Sequence, residues 1–264
     1  MSAGATDPHP VTGQLFTSPV QPGTGWPGDP AVASTPVARS PAEVRRLAHQ
    51  AQDVTDLQAC VSVCRACPRL VEWRESVARS QRRAAFADQP YWGRPGPAFG
   101  DRSASVLMVG LAPAANGTNR TGRMFTGDSS GDFLYAALHR TGWASQAEST
   151  AAGDGQVLKD IRIVAAVRCA PPQNQPTAQE RATCRPWLVR DMQLSAPRLR
   201  AVLCLGGLAW DAVLAAAREL QWEGVRPKPR FGHAREFTAT TPDLRAIRVV
   251  GCYHVSPHNT YTGR

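Results

Sequence analysis

Three stretches of this 264-residue sequence carry side chains able to do chemistry. The first is built on cysteine. Cys64 and Cys67 form a Cys-x2-Cys pair, the spacing at which a tight turn points two thiolates at one ion. Cys169, in a loop after an apolar run, and Cys184, in a capped helical stretch, can supply the other half of a four-thiolate site. Spacing alone leaves zinc, an iron–sulfur cluster and thiols merely buried in a core all open. Cys204 and Cys252 lie inside apolar strand-like runs and read as core, while Cys60 would share a helix face with Cys64.

The second stretch is Gly110-Leu-Ala-Pro-Ala-Ala-Asn-Gly-Thr-Asn-Arg-Thr-Gly-Arg-Met-Phe-Thr-Gly-Asp128. Its glycines and two arginines could cradle a phosphate. The Gly-Lys-Ser/Thr ending of a Walker loop is missing, and a long glycine-rich connection is the plainer alternative. The third stretch, Tyr253-His-Val-Ser-Pro-His-Asn-Thr-Tyr-Thr-Gly-Arg264, puts histidine, hydroxyls, an amide and an arginine into one polar loop.

These stretches need a scaffold, and the hydrophobic pattern supplies one. Apolar runs predict strands over 105–109, 161–167, 201–205 and 246–252. Helical periodicity covers 70–85, 132–140 (closed by Gly142) and 208–219. Thr177 and Glu180 form a capping box that opens a further helix, which Pro186 is expected to kink or split. Strands separated by helices, with connections too long for hairpins, imply an α/β fold with a parallel sheet covered on both faces. Such sheets bind ligands beyond the carboxyl ends of their strands. Residues 110–128, 169–176 and 253–264 all fall there.

Composition narrows the class. The chain has 30 basic and 21 acidic residues, a formal charge of +9, and all its basic residues except Lys159 and Lys228 are arginine. A polyanionic partner fits that balance, and genomic composition is the alternative source of the arginine bias. No apolar run approaches the ~18 residues of a membrane span, so no membrane association is expected. No secretory signal is visible, and an odd cysteine count argues against a disulfide framework, so a reducing, cytoplasmic setting is expected. Residues 1–41 are rich in proline and glycine, with Asp7, Asp29 and Arg39 their only charges, and they read as a disordered tail. Ordered structure is expected from Ser40-Pro41, a capping serine before a first-turn proline.

Taken together, the motifs resemble those of the uracil-DNA glycosylase superfamily, most closely its family 5, the UDGb branch. They are Cys64-Arg-Ala-Cys-Pro-Arg-Leu-Val-Glu-Trp-Arg-Glu75, Tyr91-Trp-Gly-Arg94, Gly110-Leu-Ala-Pro113, Asn119-Arg-Thr-Gly-Arg123, Phe125-Thr-Gly-Asp128, Val167-Arg-Cys-Ala-Pro-Pro172, Cys184-Arg-Pro186, and His254 with Asn259-Thr-Tyr-Thr-Gly-Arg264. The resemblance implies a three-layer α/β/α domain over 42–264 with a central four-stranded parallel sheet. It implies that Cys64, Cys67, Cys169 and Cys184 hold a 4Fe–4S cluster away from the reaction. Phe125 matches the aromatic that stacks on the flipped base, His254 the histidine that hydrogen-bonds uracil O2, and Asn174 an amide implicated in catalysis. Gly110, Leu111, Ala112, Ala165 and Asn259 fall in the base-binding motifs. Residues 256–264, from Ser256 to Arg264, are expected to insert into the duplex, with Arg123 and Arg264 near phosphates.

Two departures from the related family 4 are typical of family 5: Leu111 replaces an acid, and Ala165 replaces an asparagine that reads uracil's edge. Relatives also continue beyond the position of Arg264 into a final helix, so the resemblance implies a sequence ending short of that helix. The expected activity is that of a monofunctional glycosylase, acting as a monomer on uracil, hypoxanthine or xanthine in double-stranded and single-stranded DNA. Asn119 or Asn174 would position water, with Asp128 a further candidate. An iron–sulfur electron carrier and a non-catalytic lesion binder are the competing readings.

Overall fold

Side-chain alternation along apolar strands sets the architecture. The computed structural model describes residues 6–260. Two short strands, β1 (Thr6–Pro8) and β2 (Leu15–Thr17), pair antiparallel near the N-terminus. Three helices follow: α1 (Pro41–Gln50), capped by Ser40, α2 (Val54–Ser62), capped by Asp53, and α3 (Pro68–Arg79). The α/β body then runs β3 (Phe99–Gly100), β4 (Val106–Gly110), α4 (Thr118–Thr121), α5 (Ser129–Arg140), β5 (Ile161–Ala165), α6 (Ala178–Ser195) and β6 (Ala201–Leu205). It closes with α7 (Gly207–Glu219), β7 (Glu236–Thr240), β8 (Ala246–Cys252) and the single turn α8 (Pro257–Thr260).

The sheet has six strands in the order β3-β5-β4-β6-β8-β7. Its four inner strands are mutually parallel, as expected. They match the expected central four-stranded parallel sheet, which β3 and β7 extend with antiparallel edges. β3 is only two residues long and β7 is only partly buried, so neither carries the apolar run that marks a buried strand. Alternation divides the core cleanly. Leu107, Val109, Val164, Val202, Cys204, Ile247 and Val249 pack with Leu188 of α6 and Trp210 and Val213 of α7. Met108, Ile163, Ala165 and Leu205 pack on the other face with Leu134, Tyr135 and Leu138 of α5. A third cluster joins α1, α2, Leu70 of α3 and Trp187 of α6 around the cysteines.

Helix α6 is not split at Pro186; it continues as one 18-residue element. Cys184 before the proline and Trp187, Leu188 and Asp191 after it are all buried, so tertiary packing holds the helix through the missing N–H. No helix among the described residues is long and apolar enough to cross a membrane.

Residues 6–41, expected to be disordered, are instead a strap packed on the body. His9, Phe16 and Trp26 form an edge-to-face cluster, with ring centroids 4.6 Å apart for His9–Trp26 and 5.1 Å for Phe16–Trp26, and Trp26 reaches Trp92 at 6.0 Å. The Asp29 carboxylate accepts two bonds from the Arg94 guanidinium at 2.9 and 2.7 Å, and both side chains are buried. The Tyr91 N–H donates to Ser18 Oγ at 2.7 Å, and the Val20 N–H to the Trp92 carbonyl at 3.1 Å. The strap's apolar residues enter the body singly, so they leave no period in the sequence. Residues 1–5 lie outside the described residues.

The Asp29–Arg94 pair should therefore dominate attachment of the strap. Removing one partner of a buried ion pair strands the other charge and costs about 3–5 kcal/mol. Asp29→Ala should lower the denaturant midpoint accordingly and expose residues 6–41 to proteolysis. A midpoint within experimental error of the parent would show that the strap adds nothing to stability.

Candidate active site and cysteine cavity

Parallel register brings the carboxyl ends of the inner strands together, with Gly110 of β4 directly beside Ala165 of β5. Above them opens a cleft of about 480 Å³. Gly110, Leu111, Ala112, Phe125, Ala165, Asn174, His254 and Ser256 all line it, together with Thr118, Asp128, Ser129 and Ser130. Three stretches far apart in sequence thus meet at one place.

The loop that delivers Phe125 is built on close approaches. Phe125 has φ 52°, a left-handed conformation unusual for a bulky residue. Its ring lies against Gly110, where an added Cβ would come within 3.0 Å of the ring edge. Its carbonyl would meet a Cβ at position 131 at 1.8 Å, so only glycine fits there. Asp128 caps α5 by accepting the Gly131 N–H at 3.0 Å, which fixes the far end of the same turn. Buried Arg120 braces the loop from beneath, donating to the carbonyls of Asn116 at 2.9 Å and Gly127 at 3.1 Å.

His254 leaves the end of β8 and is held by Asn259, whose side-chain amide donates to the His254 carbonyl at 2.8 Å. The Phe125 and His254 rings lie 6.2 Å apart, with planes tilted by 35°. Burial pushes the His254 pKa below its usual 6.5, with the negative charge of Asp128 opposing that shift. The imidazole is therefore neutral at pH 7, with one nitrogen a donor and the other an acceptor. Asn174 is exposed at the rim with φ 57°, on a short turn after Pro171 and Pro172. A flat apolar group fits between the aromatic ring, the small floor of Gly110 and Ala165, and this polar rim.

Three expected site residues lie elsewhere. Asn119 is buried in α4, where its Nδ2 donates to the Arg74 carbonyl at 3.1 Å; it joins α4 to α3 and does not line the cleft. Arg123 is also buried, paired with Asp154 at 2.5 Å, bonded to Ser149 and stacked on Phe99 at 4.6 Å, so its charge is spent internally. Asn259 holds the His254 backbone and does not line the cleft. Arg264 and residues 261–263 lie outside the described residues. Asp128, only a further candidate in the sequence, is in the cleft. Its signal is the aspartate that both ends a glycine-rich loop and caps a helix.

The four cysteines Cys64, Cys67, Cys169 and Cys184 line a second, small cavity that shares no lining residue with the cleft. Its remaining walls are mostly apolar, including Val44, Leu70, Val167 and Trp187. Burial, reinforced by the neighbouring thiols, pushes Cys64 up to about 11 and Cys67 up to about 12, and raises Cys184 as well. Donors nevertheless face the sulfurs. Arg74 Nη1 is 2.9 Å from Cys169 Sγ, and the Arg168 N–H is 3.4 Å from Cys184 Sγ. The Trp187 indole N–H lies close enough to Cys64 to favour its thiolate, yet it and Arg74 Nε are buried without an acceptor of hydrogen-bond geometry. Four soft donors ringed by spare N–H groups suit an electron-rich, thiolate-bound group. Among the described residues, no three or more His, Cys, Asp or Glu side chains are grouped closely enough to hold a metal ion.

Comparison with known proteins points the same way as the motifs. The profile of the Uracil DNA glycosylase superfamily matches residues 97–264. A type-5 uracil-DNA glycosylase of Mycobacterium tuberculosis is 54% identical over 256 residues, covering 97% of this chain and 92% of the relative. The enzyme of the same name from Thermus thermophilus is 45% identical over 204 residues, 77% of this chain and 87% of its own. That from Pyrobaculum aerophilum is 43% identical over 201 residues, 76% of this chain and 81% of its own.

Proposed function

The chain belongs to the uracil-DNA glycosylase superfamily, and from that premise we propose that it excises uracil, hypoxanthine and xanthine from DNA as a monofunctional hydrolase. The observation that carries this reading is the cleft in which Phe125, neutral His254 and the Gly110–Ala165 floor surround one base-sized space. The substrate is a base turned out of the stack, in double-stranded or single-stranded DNA, met by a single copy of the chain. Extrusion costs a few kcal/mol and less at mispairs.

Cleavage of the N-glycosidic bond leaves positive charge on the sugar and negative charge on the departing base. A donor fixed where the negative charge develops stabilises the transition state more than the ground state. His254 is that donor: burial keeps it neutral, Asn259 fixes its backbone, and its imidazole opens into the cleft. Phe125 stacks on the base, held in place by the strained turn between Gly110 and Gly131. Water supplies the oxygen that bonds to the sugar carbon, and the base leaves with the bonding electron pair and takes up a proton. With Leu111 where an acid could stand, Asn174 and Asp128 are the lining groups able to orient that water. A lyase step would need an amine nucleophile. Neither Lys159 nor Lys228 lines the cleft, and Lys228 is paired with Asp211 at 2.8 Å.

Broad base choice follows from Ala165. An amide there would donate to uracil O4 and accept from N3–H, and a site that hydrogen-bonds its substrate discriminates by ~10⁴–10⁵, against ~10–200-fold for an apolar pocket. The methyl side chain removes that bond and frees space for a purine. The same reading extends to the cysteines, which we propose hold a 4Fe–4S cluster. When bound, it would cross-link the turn before α3 to the segment after β5 and to α6, apart from the cleft.

Single-turnover excision on matched duplexes carrying uracil, hypoxanthine or xanthine tests the substrate range. Strands should break only after alkali. The parent should release all three bases, and Ala165→Asn should shift the preference toward uracil. Release of uracil alone by the parent would refute the role assigned to position 165. Purified protein should be brown, with broad absorption near ~400 nm. Colourless protein with stoichiometric zinc would refute the cluster.

A further inference from the structure

The connection between α7 and β7 contains Arg226-Pro-Lys-Pro-Arg-Phe-Gly-His-Ala-Arg235, a run with four permanent cations and no acid. Arg226, Lys228, Arg230, His233 and Arg235 are all exposed. Lys228 is paired with Asp211, but among the described residues Arg226, Arg230 and Arg235 have no carboxylate within ion-pair distance. The cationic run is firmly fastened rather than loose. The Phe231 ring packs edge-on against Trp210 at 6.0 Å, and Trp210 Nε1 donates to the Pro229 carbonyl at 3.1 Å. The Ala234 N–H donates to the Gly251 carbonyl at 2.8 Å, and the Gly251 N–H to the Arg235 carbonyl at 2.7 Å. The Tyr253 N–H donates to His233 Nδ1 at 3.3 Å, with the two rings 5.3 Å apart. Tyr253 directly precedes His254, so the loop is tied to the strand end that delivers the cleft histidine.

Rigid, unpaired arginines beside a cleft present a phosphate-binding surface at little cost in ordering entropy. We propose that residues 226–235 are a DNA-backbone strip, in which Arg230 and Arg235 contact phosphates next to the nucleotide whose base enters the cleft. This rests on the glycosylase reading. The strip assigns backbone contact to a loop outside the glycine-rich and histidine motifs, whereas buried Arg123 is unavailable for it. Such contacts position the duplex without reading sequence.

The test is binding of the full chain to an undamaged duplex between ~50 and ~200 mM salt, alongside single-turnover excision from a uracil duplex at saturating protein. Each phosphate that is no longer neutralised lowers the slope of log affinity against log salt by ~0.9, so Arg230→Gln with Arg235→Gln should lower it by about 1.8. Arg198→Gln with Arg200→Gln, exposed at the amino end of β6, should leave the slope unchanged. A parent-like slope in the first pair, or equal losses in both pairs, would overturn the strip. If the parent releases no base while the first pair still flattens the slope, the glycosylase reading fails and the strip stands.

Discussion

A single buried carboxylate ties together the walls of the cleft and of the cysteine cavity. Asp191 of α6 is fully buried and accepts bonds from two guanidinium groups, Arg162 in β5 and Arg168 just beyond it. Gln58 of α2 completes the cage, donating to both Asp191 oxygens while its own carbonyl accepts from Arg168 and from the Ala98 N–H at 2.7 Å. An arginine on an inner strand would be prohibitive without such a partner, and removing the carboxylate would leave two charges stranded. The arrangement fixes β5 against α6 and α2. Ala165 at the end of β5 floors the cleft, and Cys169, four residues on, enters the cysteine cavity opposite Cys184 of α6.

The cleft is shaped before any substrate arrives, because a capping bond fixes Asp128, a side-chain bond fixes the His254 backbone, and Phe125 packs closely against Gly110 and Gly131. Preorganised dipoles in a water-poor site are worth more than the same groups in solution, since they need not reorient as charge develops. The two small residues on the floor, Gly110 and Ala165, leave the space beneath the Phe125 ring open. The strap adds a brace from the far side. Its Trp26 packs on Trp92, and both indoles border Gly122 at the end of α4, upstream of Phe125.

Much of this was legible in the sequence, and what was not has a common cause. Inner strands, the capped starts of α1 and α6, and the helices α5 and α7 were visible because their signals are local: apolar runs, capping residues and helical period. The cleft lining was visible because it lies at strand ends, where parallel sheets place ligands. Long-range pairing was invisible. Asn119 and Arg123 fit the chemistry by type, yet their partners Arg74 and Asp154 lie tens of residues away and bury them. Phe16, Trp26 and Asp29 stand alone among prolines and glycines, and only the positions of Trp92 and Arg94 show why they are ordered. Asp191 itself is one acid in a helix whose weak amphipathicity gave no hint that it faces two arginines.

The central claim is that a half-buried, neutral His254 stabilises the leaving base, and single-turnover uracil release by the parent and by His254→Ala tests it most directly. The account predicts alkali-dependent strand cleavage by the parent, a loss of ~10²–10³ in rate for the variant, and unchanged affinity for undamaged duplex. Because burial lowers the His254 pKa, the parent rate should not fall as pH rises through 6.5 toward 8. A parent rate that collapses above pH 6.5, or a variant that excises as fast as the parent, would contradict it.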